Sequence, residues 1–245
     1  MAKRISRRLI PLLLAVLAMG CARGGSSSPS RSSHQDSTGH DSTLFQVVPG
    51  QRFGAVTDSV SHADLARLFG AANVHEVRVQ CAEGSCDERG TVVKVPGCPD
   101  TLRVFWRDTV ALRGPSTVEA ALSFSQYGDS TLHGCWRTEE GLGVGTTLRE
   151  LESFNGPFQL EPLGEWDYAG YVGPWLHGRL SGVLEPPSGP RIGLRVDFLS
   201  SHGLSDSEFE QLSKPGRDSL QSDEPLLRKL NPSVVEMTMT FVREL

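Results

Sequence analysis

An internal repeat constrains this chain more than any other feature. Residues 56–70, Val-Thr-Asp-Ser-Val-Ser-His-Ala-Asp-Leu-Ala-Arg-Leu-Phe-Gly, align without a gap on residues 142–156, Leu-Gly-Val-Gly-Thr-Thr-Leu-Arg-Glu-Leu-Glu-Ser-Phe-Asn-Gly. Each stretch reads as a short helix with its punctuation. Ser61 and Thr147 stand at N-cap positions, and Asp64 and Glu150 follow three residues later, the pattern in which side chain and backbone satisfy each other's otherwise unpaired groups. Gly70 and Gly156 close the two helices. Leu65, Leu68 and Phe69 in one copy, and Leu148, Leu151 and Phe154 in the other, share a helical face. Both helices are therefore expected to lie on something apolar.

A second pair of segments recurs: Pro115-Ser116-Thr117-Val118-Glu119-Ala120-Ala121-Leu122-Ser123-Phe124 matches Pro232-Ser233-Val234-Val235-Glu236-Met237-Thr238-Met239-Thr240-Phe241. These read as strands, each opened by a proline suited to a first position. The helices repeat at an offset of 86 residues and the strands at 117, so the second copy carries about 31 extra residues. Residues 199–231 hold them, a polar stretch that reads as a long connection with one helical turn near Asp206–Leu212; long connections are often functional or mobile. Further strands are expected near 74–81, 91–95 and 102–107 in the first copy, and near 158–163, 166–172, 178–184 and 191–198 in the second. The fold class is accordingly α+β, with two tandem repeats over 44–138 and 139–245, each a short helix followed by an antiparallel β-meander.

The N-terminus gives an address. Lys3, Arg4, Arg7 and Arg8 precede an apolar run from Leu9 to Met19, the layout of a secretory signal and well short of the roughly 20 residues a membrane span needs. Leu17-Ala18-Met19-Gly20-Cys21 resembles the lipobox of bacterial lipoproteins. The resemblance implies a signal peptide over 1–20, cleavage before Cys21 and lipidation of that thiol. The chain departs from the usual pattern in placing Ala18, not Leu, three before the cysteine, and an ordinary cleaved signal is the alternative. Residues 22–43 contain eight serines, three glycines and no aliphatic residue larger than alanine. Such a segment cannot bury enough surface to order itself and reads as a disordered tether over 21–43, with a reach of roughly 25–30 Å. By resemblance to lipoproteins of Gram-negative cells, Ala22 and Arg23 after the cysteine favour the outer membrane, periplasmic face. Loss of residues 1–20 removes four positive charges from 24 and none of 29 negative ones, leaving a net charge of about −9; a nucleic-acid partner is not expected.

The helix motif, with its Ser/Thr cap, acidic residue, two apolar positions and closing glycine, looks like that of the SmpA/OmlA outer-membrane lipoproteins and of tandem repeats like the β-lactamase inhibitor protein. It covers about fifteen residues per copy, and Ser59 stands where glycine is usual. The resemblance implies a non-enzymatic protein-binding or scaffold module and names no partner; the lipid anchor and its location make another envelope protein the expected one. The resemblance carries over no binding residue.

Four cysteines remain after Cys21, and an exported chain meets an oxidising compartment in which an even number usually pairs. Three pairings exist. Tracing the first meander leaves Cys81 and Cys86 at one edge of the sheet and brings Cys135 back toward Cys98 at the other, so the expected disulfides are Cys81–Cys86 and Cys98–Cys135. The competing reading uses Cys81, Cys86, Cys98, His133 and Cys135 in metal or redox handling; their spacings do not match paired CxxC zinc sites, and neither metal nor cofactor is expected. No G-x-S-x-G, H-E-x-x-H or catalytic-cysteine signature occurs, so no enzyme activity is expected. Glu119 and Glu236, which recur at matching positions, read as solvent-facing repeat equivalents rather than a working carboxylate pair. The aromatic, glycine-bearing segment 165–175 is the candidate binding surface, through Trp166, Tyr168, Tyr171 and Trp175. Its rival reading sends Trp166 and Tyr168 into the sheet core while the glycines admit a close neighbour.

Overall fold

In a computed structural model, residues 42–80, 87–162, 169–173, 175, 177–185, 188–198, 203–214 and 216–241 are described. Residues 1–41, Cys81, Cys86, Trp166 and Tyr168 therefore lie outside the described residues, and with them the signal, the lipid site, most of the tether and one expected disulfide. Helix α1 (His62–Phe69) starts where the sequence places it: the Ser61 amide donates to Asp64 Oδ2 at 2.9 Å and the Asp64 amide to Ser61 Oγ at 3.3 Å. Helix α2 (Leu148–Asn155) repeats this through Thr147 and Glu150, at 2.7 and 3.3 Å. Gly70 and Gly156 cap the C-termini at φ 85° and 83°, backbone that favours glycine. Leu65 and Phe69, one turn apart, are buried, whereas Leu68 is displaced to the helix edge and is 46 % exposed. Leu148 and Leu151 are fully buried, and Phe154 is half-buried with the Arg179 guanidinium 4.3 Å over its ring.

Both helices dock through their N-termini onto strands. The His62 amide donates to Leu112 O and the Leu148 amide to Pro232 O, while Gly114 N reaches Val60 O and Val234 N reaches Thr146 O, all at 2.8–2.9 Å. Those strands belong to one six-stranded antiparallel sheet. Along the chain its members are β3 (Val74–Gln80), β4 (Asp87–Val93), β5 (Thr101–Asp108), β6 (Arg113–Ala121), β9 (Arg191–Val196) and β11 (Val234–Thr240); across the sheet the order is β3-β4-β5-β6-β11-β9. A small separate sheet has the order β2 (Arg52–Phe53), β1 (Gln46–Val48), β7 (Arg137–Thr138), and β8 (Gln159–Leu160) pairs with β10 (Leu220–Gln221). The protein is α+β. Among the described residues no helix is long and apolar enough to cross a membrane.

The first half forms the expected helix and meander. The second half departs from it. Residues 178–184 are not a strand: Leu180–Val183 form a helical turn, α3, because Leu180 and Leu184 lie one turn apart in the core and the Asn155 carboxamide oxygen accepts from the Leu180 amide at 2.7 Å. Among the described residues of the expected 158–163 strand, Gln159–Leu160 form one, β8. In 199–231 the helical turn expected near Asp206–Leu212 is present as α4 (Asp206–Leu212), but the rest is not merely a loose connection, because its described part also holds β10 and α5 (Pro225–Leu230), and Leu212, Leu220 and Leu227 enter the main core. The segment is tied to α2, since Glu152 accepts from Ser222 Oγ at 2.8 Å and Arg228 Nε at 3.1 Å.

Candidate functional site

Side chains alternate across the sheet, and register assigns each to a face. The inner face carries Leu102, Val104, Val118, Ala120, Met237, Met239, Ile192 and Leu194, all buried against the helices in one core. The opposite face presents Thr101, Arg103 and Phe105 from β5, Thr117 and Glu119 from β6, Thr238 and Thr240 from β11, and Arg191 and Arg195 from β9, partly or wholly exposed. This second face is the candidate site.

At its centre the pairing has a two-fold pattern. Ala120 opposes Met237, Glu119 opposes Thr238, and Ala121 opposes Glu236. The next strand outward on each side bears the same tripeptide, Leu102-Arg103-Val104 on β5 and Leu194-Arg195-Val196 on β9. Register then sets Arg103 opposite Glu119 and Arg195 opposite Glu236. Arg103 donates to Glu119, and Arg195 donates to Glu236 Oε2 at 2.7 Å. Tyr171 completes the second pair: its hydroxyl donates to Glu236 Oε1 at 2.5 Å, its backbone bridges to Arg195, and Arg195 also donates to the Tyr127 hydroxyl at 3.2 Å.

The glutamates are not simply solvent-facing. They sit on the open face yet are covered there by arginine and tyrosine: Glu236 is 5 % exposed and the Glu119 side chain 12 %. Burial, reinforced by the negative charge of Glu236, pushes the Glu119 carboxyl up to about 7 despite the opposing pull of Arg103. Desolvation and the same charge raise the Tyr171 and Tyr127 hydroxyls, so both stay protonated donors. For Arg195 desolvation is the largest influence and works against the cation, but Glu236 with Tyr127 and Tyr171 together outweigh it and the guanidinium is held more firmly charged than usual. Neither carboxylate lines either of two surface grooves among the described residues, of about 820 and 520 Å³. The arginines and tyrosines do: Tyr171 borders the first, and Arg103, Arg195 and Tyr127 the second.

The expected aromatic surface divides. Tyr171 reaches the open face, while Trp175 is 5 % exposed and packs on Phe158 with ring centroids 5.0 Å apart, so it belongs to the core. The glycines act as expected, for a Cβ on Gly170 would stand 2.3 Å from Val196 O, and only glycine lets this segment lie along β9. Sequence reasoning missed Arg103 and Arg195. Their signal was the repeated Leu-Arg-Val, whose offset of 92 residues matches neither 86 nor 117.

Cys98 and Cys135 form a disulfide with Cα atoms 5.5 Å apart. The Asp100 carboxylate lies beside it, with ligand-type atoms of all three residues within 4.8 Å of one another. Asp100 Oδ1 accepts from the Cys135 amide at 2.9 Å, its Oδ2 is buried without a partner, and burial raises its pKa. With both sulfurs in the disulfide this trio offers no thiolate ligand. His133 contacts Arg137 at 3.2 Å instead. Compared with protein-family models, curated proteins and solved structures, the chain matches none.

Proposed function

We propose that this protein is a lipid-anchored envelope lipoprotein whose folded part is a non-catalytic protein-binding or scaffold module, and that it meets its partner on the uncovered face of the six-stranded sheet. One observation carries the reading: helices cover one face, while the other presents polar and charged side chains fixed by a symmetric set of ion pairs. We read the two halves as tandem repeats joined back to back through β6 and β11, supported by matching capping boxes, matching helix docking and the symmetric Leu-Arg-Val strands. Catalysis is disfavoured because the Glu119 and Glu236 carboxylates, paired among the described residues, lie beneath their own counter-ions, out of reach of substrate. The lipid on Cys21 and the following tether would keep this face near the outer membrane.

Site-specific photo-crosslinkers at Thr240 and Arg191, on the open face, are expected to trap one defined envelope protein in living cells. A crosslinker at Ser153, exposed on α2, is expected not to trap it. Equal yields from both sets, or none from the sheet face, would refute the assignment. The second reading, redox or metal handling, draws on Asp100 beside the disulfide; native protein with free thiols at Cys98 and Cys135 and a bound metal would favour it.

A further inference from the structure

The groove of about 520 Å³ crosses the open face from β3 to β9. Four basic side chains line it, His75 on β3, Lys94 just after β4, Arg103 on β5 and Arg195 on β9, and no acidic side chain among the described residues does. That sign is opposite to the chain's net charge of −5. Between the cations the floor is small and apolar, formed by Val92 and Ala121, and Leu122 continues it. Phe124 forms a wall with its ring 5.1 Å from that of Tyr127, and it is 74 % exposed, an unusual state for so large an apolar group.

Several donors here remain unused. Lys94 and His75 make no ion pair among the described residues, and Arg195 Nε is buried without a hydrogen-bond partner. A buried donor in that condition gains from an incoming acceptor. The cations are spread along the groove instead of gathering at one mouth. A lipid needs one polar end and one long apolar interior, whereas alternating cations and apolar patches match a chain whose acids alternate with apolar side chains. Strands lie about 4.8 Å apart, so the five steps from β3 to β9 span roughly 24 Å, the length of about seven extended residues.

We propose that this groove docks an acidic segment of the partner protein, about seven residues long, with carboxylates set toward Arg103, Arg195 and Lys94 and apolar side chains against Phe124 and Ala121. The inference rests on the reading of the open face as the binding surface and adds the chemistry of what binds there.

The test uses the purified full chain and a fluorescein-labelled peptide, Glu-Leu-Glu-Phe-Glu-Leu-Glu, followed by anisotropy. The Glu peptide is expected to bind at least tenfold tighter than its all-Gln counterpart and to weaken as salt screens the charges. Lys94→Glu and Phe124→Ala, both at exposed positions, are each expected to weaken it about tenfold with melting temperature unchanged. Equal binding of the Glu and Gln peptides, or indifference to both substitutions, would overturn the proposal. So would binding to phosphatidylglycerol vesicles but not to the peptide, which would make the groove a lipid site. Crosslinking at Thr240 and Arg191 does not involve the groove, so a partner trapped there alongside a failed peptide titration removes only the acidic-segment inference. Loss of crosslinking removes the binding face itself.

Discussion

Replacing Glu119 by Gln should stabilise the protein at pH 8 and leave it nearly unchanged at pH 4. Two effects compete at this residue. The ion pair with Arg103 favours the carboxylate; burial and the charge of Glu236 disfavour it, and they win, since the folded-state pKa is about 7 against a reference value of 4.5. Below about pH 4.5 both folded and unfolded chains hold the proton. Between 4.5 and 7 the unfolded chain releases it while the folded chain keeps it, so the stabilising contribution is full below 4.5 and is lost as pH rises through about 7. A span of about 2.5 pKa units at 1.36 kcal/mol each gives about 3 kcal/mol. Gln cannot ionise and keeps an oxygen for Arg103, so the variant should exceed the parent by about 2–3 kcal/mol at pH 8. Urea titrations at pH 4 and pH 8 with the disulfide intact would read this as a midpoint difference of roughly 1–1.5 M that appears only at the higher pH. Other groups that titrate in this window are shared by both proteins and cancel in the difference. The depressed carboxylates Asp64, Asp87 and Glu208 act below their own reference values, outside the window. A Gln variant less stable than the parent at pH 8 would show that the Arg103 pair outweighs burial, and would refute the reasoning.

Further outcomes follow from the same structure. Replacing Cys98 and Cys135 together by Ala opens a link of sequence separation 37 and should cost about 4 kcal/mol in the chain-entropy description, measurable as a lowered urea midpoint; an unchanged midpoint would mean that the covalent link constrains little. Leu227→Ala, in α5, should cost about 2–5 kcal/mol because its side chain is fully buried in the shared core, and a loss below 1 kcal/mol in the same titration would show this segment to be only loosely attached.

Much of the first half could be read from sequence because its determinants are local. A capping box is a four-residue code, and Ser61 with Asp64, like Thr147 with Glu150, behaves as that code requires. The disulfide between Cys98 and Cys135 followed from counting strands in a meander, which needs only alternation and turns. The second half resisted because its information is scattered. Leu212, Leu220 and Leu227 sit in a polar stretch whose helical spacings, Phe209 to Leu212 and Leu227 to Leu230, last one turn each and give no sustained period, yet each fills the core once α4, β10 and α5 form. Residues 178–184 were too short to separate a helical turn from a strand by periodicity. The turn is decided by Asn155, twenty-five residues away.

The charged centre was least visible because it exists only across strands. Nothing in a linear reading sets Arg103 opposite Glu119 or Arg195 opposite Glu236; those pairs appear once register is known. The arrangement also bears on what the glutamates are for. Two like charges placed near a local two-fold repel, and burial adds to the cost, so they persist only where each has its own counter-ion. Here each arginine meets its glutamate across one strand pair and still borders the groove, whereas the glutamates border neither large groove. A catalytic pair would require the reverse, carboxylates exposed to substrate with their cations behind them. On the proposed reading the acids would orient two guanidinium groups toward an incoming ligand, the arrangement a preformed recognition surface requires.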